Sequence, residues 1–303
     1  TFLAPNFEWM AVSRLLAGLP HGAYFGIGAL VASDVLGPGR RAQGVAFVLT
    51  GLTVANVVGV PVGTFLGQHY GWRATFMVVA AIFALATVCI AWSVPRHEGS
   101  PERTLRAELR VFRIGQVWLT LAIGAIGFGG FFAVNSYVAP LVTEVAHAPS
   151  WAVPLVLVIS GVGMTIGNLI GGRLADRDLR RTLLGAFVGT AAVLALIGLT
   201  AQWIFVLAAM LFALNFCGSI LAPSIQTRLM DVAEDNQSIA AALNHSSLNV
   251  GNSLGAFFGG AVIAAGWGFV APAWVGVAMA LIGLALTAVG FRVVRRHRVL
   301  APA

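Results

Sequence analysis

Lysine is absent: all 18 basic residues of this 303-residue chain are arginine. Charge of either sign is scarce. Asp, Glu, Lys and Arg make up 10% of the residues, against about 25% in soluble domains. With 58% hydrophobic residues and a mean hydropathy of +0.89, this excludes a water-soluble globular domain and a disordered chain. Cysteine is nearly absent too. Cys89 and Cys217 lie deep in apolar runs, which excludes a disulfide framework and leaves them as small core residues. Two-residue alternation is missing from the apolar runs, so they are not strands of a membrane barrel. Acidic residues are missing from the middle of every run, and none follows Asp235.

What the chain does have is long apolar sequence. A helix needs about 20 apolar residues to cross a bilayer. Nine stretches qualify: 9–36, 42–68, 72–94, 114–143, 152–173, 182–200, 203–227, 239–265 and 269–291. Lipid offers backbone amides no partner, and helices satisfy their own. The chain therefore reads as an all-α polytopic membrane protein. The first, second and fourth stretches are long and glycine-rich, which predicts tilt or bending.

Every arginine except Arg14 and Arg73 falls at alternate junctions or in the tail: Arg40 and Arg41, Arg96 to Arg113, Arg173 to Arg181, Arg228, and Arg292 to Arg298. By the positive-inside rule these junctions and the C-terminus are cytoplasmic. The net charge of +7 thus marks topology and contact with anionic lipid rather than nucleic acid. The expected location is the inner (plasma) membrane, multi-pass, with the protein acting as a monomer. An odd span count puts residue 1 outside. Neither Met nor a signal sequence stands there, so further sequence is expected upstream.

Asn56-Val-Val-Gly59-Val-Pro61-Val-Gly63 recurs as Asn252-Ser-Leu-Gly255-Ala-Phe-Phe-Gly259, and Asp34-Val35 as Asp231-Val232. Internal repeats are a habit of transporters. Spans one to three then match spans seven to nine, and spans four to six lack a partner. Two full repeats would have twelve spans, three of them preceding residue 1. The expected units are 1–94, the second half of an N-terminal bundle; 95–113, a polar cytoplasmic linker; and 114–303, a complete C-terminal bundle.

Several residues carry chemistry, each with a packing alternative. Gly51, Ala55, Gly59, Gly63 and Gly67 make a smooth strip that lets a helix approach closely, and Pro61 adds a bend. Gly163, Gly167 and Gly171 form a similar strip, as do Gly251, Gly255 and Gly259. Arg14 lies inside the outer end of its span, where insertion costs about 2.5–3.5 kcal/mol. It either snorkels outward or faces a central cavity and tunes a carboxylate there. His21 points nearly the same way and is a proton or substrate contact, or a packing residue. His245, Asn249 and Asn252 share one helical face, a cavity wall or a set of interhelical hydrogen bonds. Asn135 and Tyr137 suggest a second wall, Asn215 a third. Gly171, Arg173, Asp176 and Arg177 close a span at the cytoplasm as a conformational latch, with helix capping and salt bridges as its means.

No enzyme motif survives. Gly251-Asn-Ser253-Leu-Gly255 fits a nucleophile elbow, but no acid follows it to complete a triad. Gly161-Val-Gly163-Met-Thr-Ile-Gly167 has no preceding strand for a dinucleotide loop. The six histidines lack metal-ligand spacing. No metal and no cofactor are expected.

Arg14-Leu-Leu-Ala-Gly18-Leu-Pro-His21-Gly22 resembles the fourth-helix motif of the major facilitator superfamily. Val54-Ala-Asn56-Val-Val-Gly59-Val-Pro61-Val-Gly63, followed by Gly71-Trp72-Arg73, is similar to its fifth-helix antiporter motif. Gly167-Asn-Leu-Ile-Gly171-Gly-Arg173-Leu-Ala-Asp176-Arg177 resembles the second copy of its loop motif. The nearest type is the drug:proton antiporters of the arabinose-efflux-permease-like branch. The resemblance implies that fold, with helices four to twelve of twelve present and alternating access between two bundles. It implies proton-driven efflux of drugs or other small molecules, with the proton gradient as energy source. Arg14 would assist proton coupling, and Asn56, Gly59, Pro61 and Gly63 would form the hinge. The family's first-helix carboxylate has no counterpart in the chain. A sugar or nucleoside carrier, or a membrane protein that binds without transporting, are the alternatives.

Overall fold

The computed structural model describes residues 1–37, 40–93, 109–233 and 236–300. Within them all regular structure is helical. The first half contributes α1 (Phe7–Leu36), α2 (Arg41–Val54), α3 (Val60–Tyr70) and α4 (Trp72–Ser93). A 3-10 turn at Leu109–Arg113 leads into α5 (Gly115–Ala122) and α6 (Gly129–Asn135). Then come α7 (Ala152–Thr200), α8 (Ile204–Val232), α9 (Gln237–Ala264) and α10 (Ala271–Leu300). The apolar runs of the sequence reappear as these helices. Gly37 ends α1 at φ 79° and Gly71 parts α3 from α4 at φ 80°, backbone angles that a side chain would strain.

Two runs are bent, as their glycine and proline content predicts. Between α2 and α3 the chain makes a π-turn at Ala55–Gly59. Pro61 follows at once and carries no amide hydrogen, so the carbonyl four residues back lacks its helical donor. A wider turn absorbs the mismatch. The 114–143 run is broken more often. A π-turn at Ile123–Gly127 separates α5 from α6, Tyr137 leaves helical geometry at φ −123° and ψ 25°, and a second π-turn follows Pro140.

α7 covers two of the expected spans in one 49-residue element. At 1.5 Å per residue it would be about 74 Å long if straight, more than twice a bilayer core. It is not straight. Asp178 has φ −155° and ψ 91°, and its Oδ1 accepts the Arg181 N–H at 2.9 Å to start the second segment. Gly167 before the bend packs on Phe216 of α8, and Gly189 after it packs on Cys217, so the chain folds back at Asp178.

The core lies in the second half. Leu183, Phe187, Leu194, Leu211, Leu214 and Leu221 are fully buried where α7, α8 and α10 meet the broken α5–α6 segment. Glycine makes these contacts close. A Cβ at Gly171 would sit 2.8 Å from the Ile220 Cα, and one at Gly251 would sit 2.8 Å from the Gly124 carbonyl oxygen. The 163–171 and 251–259 strips are therefore fixed packing surfaces. The first-half strip differs: among the described residues nothing lies within 4 Å of a Cβ at Gly51, and Gly63 and Gly67 meet only Thr75 of α4.

The halves meet where α1 lies on α9 and where α2 and the turn after it lie on α7 and α8. α4 packs on α3, and no residue of its 72–92 window is buried. Cys89 is accordingly exposed and not a core residue, which corrects the sequence reading; Cys217 is half-buried. In lipid an outward apolar face is the ordinary condition.

Candidate functional site

The breaks in the fourth run bring polar groups of three helices together. Asn135 ends α6, just before the irregular Tyr137. Asn215 of α8 donates through Nδ2 to Asn135 Oδ1 at 3.2 Å and to its own Leu211 carbonyl at 2.9 Å. Asn135 donates in turn to the Phe131 carbonyl at 3.1 Å. The Tyr137 hydroxyl donates to the Ala256 carbonyl of α9 at 2.7 Å, and Gly259 gives its ring room. Asn135 and Asn215 are thus paired between α6 and α8, while Tyr137 is tied separately to α9. The chemistry of these groups is amide and phenol, neutral and rich in donors and acceptors.

The α9 face changes character along its length. His245 is buried, with a partner of its own, and Asn249 donates to its carbonyl at 2.9 Å. Asn249, Asn252 and Ser253 are exposed. One face of α9 is therefore packed at His245 and open at the two asparagines.

Arg14 is exposed, with its guanidinium 5.5 Å from the centroid of the Phe76 ring on α4. Among the described residues no carboxylate pairs with it. Arg73 nearby stacks on Trp72 at 4.3 Å and donates to the Ala4 carbonyl at 3.0 Å, tying the N-terminal segment down. The side chains of His21, Asn56 and Pro61 lie outside the described residues, as does most of the expected linker. Gly59 is exposed, and Gly63 accepts a hydrogen bond on its carbonyl from Thr75 Oγ1 at 3.0 Å.

At the arginine-rich end Asp176 reaches across the halves. Its Oδ1 accepts the Ala42 N–H at 3.1 Å, at the second residue of α2. A carboxylate there satisfies an orphan amide and opposes the positive end of the helix. Gly171 is buried against Ile220, and Gly172 brings α7 against α2: a Cβ there would sit 3.0 Å from the Ala42 carbonyl oxygen. Arg173 and Arg177 are exposed, and the ion pair that forms nearby is Asp178 with Arg181 at 3.2 Å. Of the two means expected for Asp176, capping and salt bridges, the described residues show the capping contact.

Sequence reading missed one polar group. Arg228 was grouped with the junction arginines after a span ending at 227. α8 instead runs to Val232, and Arg228 is buried. The available signal was Asp231 one turn on, which marks a continuing helix face.

The sequence model of the Major Facilitator Superfamily matches residues 1–177 and again 151–302. The chain is 35% identical over 267 residues to the inner membrane transport protein YdhP of Escherichia coli (strain K12), covering 88% of this chain and 69% of that one. It is 32% identical over 268 residues to the putative transporter AraJ of the same strain, covering 87% and 67%. Among solved structures it is similar in fold to the transporter FucP in the outward conformation, with a TM-score of 0.65, 16% identity, and 87% and 72% of the two chains covered. A bacterial homologue of the human lysosomal transporter Spinster, inward-facing and unoccupied, has a TM-score of 0.53 at 18% identity, covering 96% and 79%. Taken with the helical fold described above, these matches show that the chain belongs to the Major Facilitator Superfamily.

Proposed function

We propose that the chain is part of a secondary active transporter that exports drugs or other small molecules in exchange for protons by alternating access. The observation that carries this reading is the Asp176–Ala42 hydrogen bond. It is a breakable polar contact between the halves, placed at one end of the α2–α7 interface. Asn135, Tyr137 and Asn215, with the exposed Asn249 and Asn252, then form the cavity wall that substrate meets. Broken membrane helices are where such sites are built. Arg14 and His21 assist proton transfer during the exchange. The proton gradient supplies the energy, and no cofactor takes part.

The arginine-rich end is cytoplasmic, which places the C-terminus inside. The location is the inner (plasma) membrane, as the name of YdhP says of that protein, and the working unit is a monomer. A sugar or nucleoside carrier is the second reading. The neutral, hydrogen-bonding wall favours it, since no described carboxylate stands there to hold a cationic drug. A protein that binds without transporting is the third.

Inverted membrane vesicles bearing the full-length protein and a trapped pH dye discriminate the three. A lipophilic dye cation, a hexose and a nucleoside are added in turn. Antiport of one class is expected to release protons from the vesicle, and Arg14→Ala is expected to abolish the signal. Unchanged proton release in Arg14→Ala removes that residue from coupling. Saturable binding with no proton or solute movement sinks transport altogether.

A further inference from the structure

Arg228 is turned inward although it lies one turn from the end of α8. It is 3% exposed. Its Nη2 donates to Gln116 Oε1 of α5 at 3.2 Å. The guanidinium carbon lies 3.9 Å from the centroid of the Phe291 ring on α10. Gly290 beside that ring leaves the space it needs, because a methyl group there would come within 2.6 Å of Nη2. Asp231, three residues on, supplies the opposing charge.

Adjacent groups extend the joint to α9. Asn244 is fully buried and donates to Gln226 Oε1 at 3.4 Å, and Ser247 Oγ donates to the Leu121 carbonyl at 2.7 Å. Against them lies a small apolar cluster of Val111, Val117, Leu229 and Ala240. Val111 belongs to the 3-10 turn through which the chain enters its second half. A membrane-surface arginine extends its head outward to water and phosphate. Arg228 lies on a planar ring and an amide instead, a pairing that suits a guanidinium and not an ammonium.

We propose that Arg228 is a positioning residue. It fastens the start of α5 and the last turn of α8 to α10 at the point where the second half receives the connecting segment, so that these segments move as one body when the halves separate. The effect on transport rests on the alternating-access reading; the joint itself does not.

Hydrogen exchange by mass spectrometry tests it, on the full-length protein in lipid nanodiscs. Arg228→Lys and Arg228→Met are both expected to raise exchange about tenfold or more in residues 109–122 and 286–293 together, while 183–200 stays protected. Gln116→Leu keeps the cation and is expected to raise exchange in 109–122 alone; it serves as the test where the arginine variants fail to fold. Wild-type protection in Arg228→Lys overturns the proposal, since charge alone then suffices. So does a change confined to α8, or an unchanged Gln116→Leu. In vesicles that export a compound, Arg228→Lys is expected to lower kcat several-fold with KM unchanged, and an unchanged kcat refutes the role in movement. A wild type that moves nothing refutes transport, while the exchange result still decides the joint.

Discussion

Asp176 keeps one oxygen on the Ala42 amide, while the other is buried and has no partner among the described residues. The bond links residues 134 apart in sequence, so no local pattern reveals it. Neutralising the carboxylate keeps an acceptor but removes the charge that faces the helix end, worth about 0.3–1 kcal/mol. Asp176→Asn is therefore expected to change turnover while substrate KM stays near wild type. Counterflow rates across a concentration series check this, and a KM shift with constant turnover contradicts the latch. Asn215 offers a contrast. Asn215→Leu leaves the half-buried Asn135 oxygen without its donor, a loss of about 1–3 kcal/mol. It is expected to lower the thermal midpoint, whereas Asn249→Ala, on an exposed surface, is expected to leave it unchanged. Both asparagines were visible in the sequence as polar groups in apolar runs. Their pairing was not, because periodicity places a residue on a face and says nothing of which helix covers it. Arg228 was misplaced for a related reason: hydropathy ends a span at the first charge, while the helix continues.

Among helices, the glycine strips separate packing from freedom. All share the same four-residue spacing, so the sequence made them look alike. In the structure, Gly167 abuts the backbone of Phe216, which has no rotamer with which to yield, whereas no described residue lies within 4 Å of a Cβ at Gly51. Gly167→Val is expected to destabilise the protein by about 1–3 kcal/mol, since overpacking cannot be relieved by a side-chain movement. Gly51→Ala is expected to leave the thermal midpoint unchanged or slightly raised. Differential scanning in detergent measures both, and equal shifts would erase the distinction between fixed and open strips. Helix positions themselves were legible because a bilayer allows few alternatives to a long apolar helix. The bends were legible in outline from Pro61, Pro140 and their glycines. The fold-back at Asp178 was legible from the polar gap between two runs, where the helix is broken.

For the whole molecule, arginine placement is the strongest long-range signal in the sequence. It predicts that a cysteine placed at exposed Arg180 or Arg292 reacts with a membrane-impermeant maleimide only after the cells are opened, once Cys89 and Cys217 are replaced. Reaction in intact cells would invert the assigned orientation. The structure adds that among the described residues the halves meet through α1 with α9 and α2 with α7 and α8, and that one helix end in the first half is completed by a side chain from the second. An amide that gains and loses an anionic acceptor shifts its nitrogen resonance. A single 15N label at Ala42 would therefore read out, without substrate, dye or added probe, what fraction of molecules are closed at that end at any moment.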